Sequence, residues 1–336
     1  MPHSVSVAFQ TNHPIGAYGP MAAAAERYGF DGVSVYNDML YQPAWLPLLE
    51  IARATRRVRL GPAAVNPFTC HPINIAGNIA LLDEASAGRA YLGLARGAWL
   101  GFVGLAPERP VAALREAFAC VRHLLARSKE PFHGEVFQLA GGDALRWDVP
   151  RADIPLLLGS WGGAAIRACA GMVSEVKIGG TANPALIAHM LPAIADAALA
   201  AGRPAHAISL CAGAVTVVDR DGAAARAQAR REVALYLPVV APLDPTLALD
   251  PELLARVAHA AAEYDFERAA RDISDALLAR MAFAGTPAQV AEQALALFQA
   301  GCGRVEFGTP HGLSAEAGLR LLGEEVLPML RAALGG

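Results

Sequence analysis

Residues 57–97 hold two short apolar runs with one helical pattern between them. The first run, 58–65, reads V-R-L-G-P-A-A-V and closes on Pro62 and two alanines. His71-Pro72 then opens a stretch in which Ile75, Ile79 and Leu82 recur at helical spacing. Gly88 follows, a good place for the left-handed backbone that ends a helix, because glycine has no Cβ to oppose it. Residues 89–95 form the second run. Strand, helix and strand with short connections predict a parallel pair joined by a right-handed crossover.

The same alternation extends along the chain. Strands are predicted at 4–10, 32–36, 58–65, 89–95, 154–159, 174–178, 208–218 and 303–307. Helical patterns at 15–28, 44–56, 111–125 and 164–172 fall between them, and Ser160 is placed to cap the last. Asn183-Pro184 starts a helix that Gly202 stops, and Thr286-Pro287-Ala288-Gln289 is a capping box. A small hairpin is expected near Val136-Phe137, and a final helix at 314–334. The stretch 222–283 exceeds a single crossover. It reads as a helix at 223–236, a proline-rich break at 238–245 and a further helix after Asp250-Pro251. Eight strands alternating with helices predict an α/β fold, a (β/α)8 TIM barrel. It would be one domain over 1–336, with an insertion at 222–283 between the seventh and eighth strands. An open doubly wound sheet is disfavoured because no G-x-G-x-x-G follows the first strand.

Composition narrows the partners. Hydrophobic residues make up 54% of the chain and charged ones 18%, which suits strands buried on both faces. A net charge of −3 argues against a general nucleic-acid binder. The five cysteines are scattered and form no C-x-x-C, as expected of a reduced cytoplasmic protein. No signal peptide and no bilayer-spanning run is read, so the expected partner is a small-molecule substrate.

A barrel of this kind puts its site at the C-terminal strand ends. There the chain offers Gln10, Asn12, Asp38, Asn66, Trp99, marginal histidines at 13 and 311, and many small residues. Paired carboxylates, H-E-x-x-H and a P-loop lysine are missing from this set. A mouth of small residues and backbone suits a large flat cofactor that carries the chemistry itself. Gly159-Ser160-Trp161-Gly162-Gly163 stands between a strand and a helix. It reads as a phosphate-binding turn or as a tight turn with Ser160 as cap. Asp38 reads as a ligand for a cofactor ring or hydroxyl, or as a turn cap. Asn66-Pro67 is a turn signal first, His71-Pro72 a helix start, and Trp99 a pocket lining or a cover.

These residues carry a resemblance. G-P-A-A-V-N-P-F followed by L-L-D-E-A-S-A-G-R-A-Y-L-G-L is similar to the luciferase-like flavin and deazaflavin oxidoreductases. I-P-L-L-L-G-S-W-G-G, A-G-T-P-A-Q-V and G-R-V-E-F-G-T-P-H-G resemble the methylenetetrahydromethanopterin reductase branch, which uses coenzyme F-420. The resemblance implies a barrel with the deazaflavin in its strand mouth. Asp38 and Asn66 would contact its ring or ribityl side, and Gly159, Ser160, Trp161, Gly162 and Gly163 its phosphate region. Ala63 and Ala64 fall where the family often carries a cis peptide backing the ring. Ala95 and Gly97 border the same rim, and Gln10, Asn12 and Trp99 would face substrate. A homodimer paired through barrel helices is implied as well.

The chain departs from the branch at three places. Ala8 replaces a glutamate on the first strand, Met39 a histidine, and Arg96-Gly97-Ala98-Trp99 a turn ending in Gly-Asp. An F-420-dependent oxidoreductase acting on a substrate other than the pterin is the expected function. An FMN-dependent monooxygenase and a non-catalytic ligand-binding barrel are the alternatives.

Overall fold

The computed structural model describes residues 3–335. The single-domain reading of 1–336 includes residues 1, 2 and 336, which lie outside the described residues. In chain order the strands are β1 (Ser4–Phe9), β2 (Gly32–Val35), β3 (Arg59–Pro62), β4 (Leu92–Ala95), β5 (Phe132–His133), β6 (Gln138–Leu139), β7 (Leu156–Gly159), β8 (Glu175–Gly179), β9 (Ser209–Val218), β10 (Ala282–Gly285) and β11 (Arg304–Gly312). The main sheet runs β3-β2-β1-β11-β9-β8-β7-β4, all parallel. Parallel bridges from Leu60 to Ala90 and from Val65 to Leu94 join its two edges into a barrel. The hairpin expected near Val136-Phe137 is β5 and β6.

The closing seam depends on two glycines. A Cβ added at Gly61 would lie 2.2 Å from the Tyr91 carbonyl oxygen. One added at Gly93 would lie 2.3 Å from that of Pro62. The strands can approach this closely only without side chains there.

Strand parity separates two interiors. Val5, Val7, Val33, Val35, Val176, Ile178, Val305 and Phe307 join the apolar cluster shared with the helices. The alternate residues are polar and buried: Ser6, Ser34, Glu175, Lys177, Arg304 and Glu306. The barrel is therefore filled with charges and hydroxyls where such barrels are usually filled with branched aliphatics.

Local signals placed the helices, among them α2 (Trp45–Ala54) and α4 (Pro110–Leu125). Gly29, at φ 93°, ends α1 (Tyr18–Tyr28). His71 caps α3 (Pro72–Ala85), its Nδ1 accepting from the Ile73 N–H at 3.2 Å. Asn183 caps α6 (Pro184–Ala200) in the same way through Oδ1. The box at Thr286 and Gln289 forms with both of its bonds and opens α11 (Pro287–Gln299).

Four expectations need correction. Ser160 does not cap α5 (Gly163–Cys169); Gly162 is the cap residue, and the Ser160 hydroxyl accepts from the Gly162 N–H instead. α7 (Gly222–Val240) continues past Pro238, because Leu237 and Ala234 are buried in the second apolar cluster and hold its last turns. The insertion carries three more helices where one was expected: α8 (Pro251–Ala262), α9 (Phe266–Arg271) and α10 (Asp275–Met281). The last helix is α12 (Ala315–Leu321), a π turn (Leu322–Val326) and α13 (Leu327–Leu334). Pro328 lacks the N–H that a regular α turn would need there.

β11 also outruns the sequence signal. The strand was expected to end at residue 307, yet β9 runs alongside and pairs with Pro310, His311 and Gly312 after a register shift. His311 anchors this extension, its Nε2 donating to the Ala8 carbonyl at 3.0 Å.

That anchor predicts a pH dependence. Burial first of all holds the His311 imidazole down at about 4, from 6.5. Between those values the unfolded chain binds the extra proton, so stability is complete above 6.5 and falls as the pH drops towards 4. The loss is roughly 3 kcal/mol. His311→Asn keeps a donor at φ 75°, a backbone that asparagine tolerates. Denaturation midpoints across this range should fall steeply for the wild type and less for the variant; equal slopes would contradict the assignment.

Candidate active site

At the C-terminal ends of the strands lies a cavity of about 780 Å³. Gln10 and Asn12 enter it after β1, Tyr36 and Asp38 after β2, Ala63 after β3 and Trp99 after β4. Lys177, Gly179 and Gly180 come from β8 and its end, Gly213 and Ala214 from β9, and Pro310 and His311 from β11. One wall comes from the insertion: Gln228, Arg231, Glu232, Leu235, Tyr236 and Val239 on α7, with Phe266 on α9. Trp99 reaches across to Tyr236, ring centroids 6.4 Å apart.

Of the residues read from sequence, Gln10, Asn12, Asp38, Ala63 and Trp99 line this cavity. Ala64, Asn66, Ala95, Gly97, Gly159, Ser160, Trp161, Gly162 and Gly163 do not line it. Several of these form a neighbouring group on the same rim. A Cβ added at Gly159 would lie 3.1 Å from Ala95 Cβ and 3.8 Å from Ala64 Cβ. One added at Gly97 would lie 3.1 Å from Asn66 Nδ2. Asn66 Oδ1 is committed to its turn, accepting from the N–H groups of Phe68 and Thr69 at 3.0 and 2.9 Å. The two groups meet at Ala63-Ala64, whose peptide bond is cis, as the family position implied.

The sequence reading missed the cavity's floor. Glu306 is fully buried and accepts from the Lys177 ammonium, from the Ser34 hydroxyl, from Ser6 Oγ at 3.3 Å and from Arg304 at 3.1 Å. Arg304 also grips Glu175 through two bonds of 2.8 Å. Burial alone would raise the Glu306 carboxyl, but Lys177 and then Arg304 overcome it and hold it below its ordinary range. The signal was present as period-two pairs in apolar strands, E-V-K on β8 and R-V-E on β11. Only Lys177 of this network lines the cavity, with its ammonium 5.0 Å from the Tyr36 ring centroid.

The remaining groups limit the chemistry. Asp38 is raised by burial, partly offset by a 2.9 Å hydrogen bond from Gln10 Nε2 and by the Lys177 charge. Tyr36 and Tyr236 are both pushed up, chiefly by burial, and stay neutral phenols. Burial pushes the Cys302 thiol up to about 12 and Cys120 to about 11, which makes neither a ready thiolate. Among the described residues no group of three His, Cys, Asp or Glu could hold a metal ion. No helix among them is long and apolar enough to cross a membrane. A roomy cavity with few reactive groups, next to a rim of small residues, is suited to holding a large ligand beside a smaller one.

Known proteins share this architecture. Over 327 residues the chain is 27% identical to the 5,10-methylenetetrahydromethanopterin reductase of Methanolobus tindarius, covering 96% of this chain and 98% of that protein. It is 29% identical to the 5,10-methylenetetrahydromethanopterin reductase of Archaeoglobus fulgidus over 91% of this chain and 93% of the other. Its fold is similar to the coenzyme F-420-dependent tetrahydromethanopterin reductase of Methanopyrus kandleri, with a TM-score of 0.89, 24% identity and coverage of 98% and 100%. An F-420-dependent secondary alcohol dehydrogenase holding an F-420–acetone adduct superposes with a TM-score of 0.79 at 18% identity, over 98% of this chain and 100% of that one. Residues 2–304 match the family described as luciferase-like monooxygenase, and the chain belongs to that family.

Proposed function

We propose that this chain is an F-420-dependent oxidoreductase that transfers a hydride between the coenzyme and a small organic substrate other than methylenetetrahydromethanopterin. What carries the reading is likeness over nearly the full length to two reductases of that name, joined to a different first-strand residue. Ala8 is buried there, on the same parity as Ser6 and Gln10, and it can neither donate a proton nor balance a cation.

The residues present fit a deazaflavin. A Cβ added at Gly179 would meet nothing within 4 Å, so the cavity is open beside β8. Ala63, Ala64, Ala95 and Gly159 give a rim that a flat ring can approach, and Asp38 offers acceptors to a ring N–H or a hydroxyl. The Gly162-Gly163 start of α5 leaves first-turn N–H groups without intrahelical partners, which suits the phosphate region. When bound, the coenzyme supplies or takes up the hydride. The protein's share is to orient the substrate, exclude water and manage a proton. Trp99 and Tyr236 give the substrate side aromatic cover, while Gln10 and Asn12 offer neutral amide contacts. The sequence reading gave this mouth small residues and backbone; Lys177, Arg231 and Glu232 add charge to it. FMN is the alternative cofactor, as the resemblance to the wider luciferase-like oxidoreductases implies.

Titration of the purified chain with F-420 and with FMN tests the proposal: F-420 should bind, and FMN binding without F-420 would overturn it. Gly162→Asp places a negative charge at the assigned phosphate turn and should weaken F-420 binding at least tenfold. Unchanged affinity in a folded variant would remove that turn from the site. We also propose a homodimer paired through the barrel helices, and a monomer mass at micromolar concentration would contradict it.

A further inference from the structure

Lys177 is a charged residue only 6% exposed, and it sits at the wall of the cavity. Its ammonium has three N–H groups. Glu306 Oε1 takes one, and the face of the Tyr36 ring lies 5.0 Å away. That leaves an N–H for an acceptor inside the cavity. Three neighbouring titratable groups are already committed to partners. His311 directs Nε2 to the Ala8 carbonyl. Asp38 accepts from Gln10. Glu306 is an acceptor in all four of its contacts.

We propose that Lys177 is a catalytic residue that hydrogen-bonds the oxygen of a carbonyl substrate and exchanges a proton with it, which makes the substrate class a neutral ketone or aldehyde and its alcohol. The proposal rests on the hydride-transfer reading. In the reducing direction the coenzyme-derived hydride forms a C–H bond at the carbonyl carbon. The C=O π pair moves to oxygen, and that oxygen takes a proton from Lys177 Nζ. The neutral amine then regains a proton from water, and the ketone has become an alcohol. The alcohol is oxidised by the same steps in reverse. Glu306 is the positioning residue. It fixes Nζ, and Arg304 on β11 and Glu175 on β8 complete the buried charge network around the pair.

The test uses carbonyl-labelled cyclohexanone as probe, with the full chain. Difference infrared spectra of the probe on the wild type should show a carbonyl band shifted to lower frequency than in water. The band should revert in Lys177→Met combined with Glu306→Gln, a pair that removes both buried charges together. Loaded with reduced F-420, the double variant should turn over cyclohexanone about 10²-fold more slowly or worse. Lys177→Arg should nearly keep KM while kcat falls, because a guanidinium holds the oxygen but releases protons poorly. An unshifted band on the wild type, or turnover in the variants equal to wild type, would overturn the assignment even if the variants fold poorly, because the wild-type spectrum stands alone. F-420 affinity, measured separately by fluorescence, tells the two readings apart. A wild type that binds no F-420 brings down the hydride-transfer reading. One that binds F-420 but gives no shifted band brings down Lys177 alone.

Discussion

The Glu306 carboxylate is what the centre of this barrel is built around. It is buried completely and receives donors from β1, β2, β8 and β11 at once. Arg304 extends the same network to Glu175, so two cations and two anions balance inside the ring. Such an arrangement is costly to assemble, and removing one partner leaves an uncompensated charge worth about 3–5 kcal/mol. An aliphatic filling would serve stability at least as well. The charged filling differs in leaving an ammonium at the cavity floor.

Everything above that floor follows from strand ends and one insertion. The barrel strands present Gln10, Asp38, Ala63 and Lys177 around a common opening. The insertion turns an open mouth into a walled cavity, because α7 lays Tyr236 and Val239 over it. α7 is held there by its own apolar cluster with α8, α9 and α10. Arg231 is tied down at the wall by Glu267 at 2.7 Å and Gln228 at 2.6 Å. The cavity is therefore shaped by the insertion, while the rim of small residues belongs to the barrel itself.

Much of this was legible in the sequence. The strands and helices carried local signals: alternating valines, capping asparagine and threonine, glycines past the helix ends. The rim residues could be named from strand-end position. What escaped were features decided by tertiary partners. Pro238 read as a break and residue 307 as the end of the eighth strand, but buried Leu237 and the extended β9 carry the chain through both. Ser160 read as a cap, but its hydroxyl accepts from the Gly162 N–H, two residues on within the turn. Lys177 and Glu306 passed unnoticed because each, taken alone, looks like an ordinary charge at a strand end. Their meaning lies in parity: the i, i+2 pairs on β8 and β11 point into one interior and meet only when the barrel closes.

The central claim is that the small-residue rim and the charged floor form one site, cofactor on the first and substrate against the second. A crystal structure of the chain soaked with F-420 tests it most directly. The account predicts the deazaflavin ring against Ala63-Ala64, its phosphate region towards Gly159–Gly163, and open space between the ring and Lys177. A ring bound away from Ala63, or one whose bulk fills the space against Lys177, would contradict it.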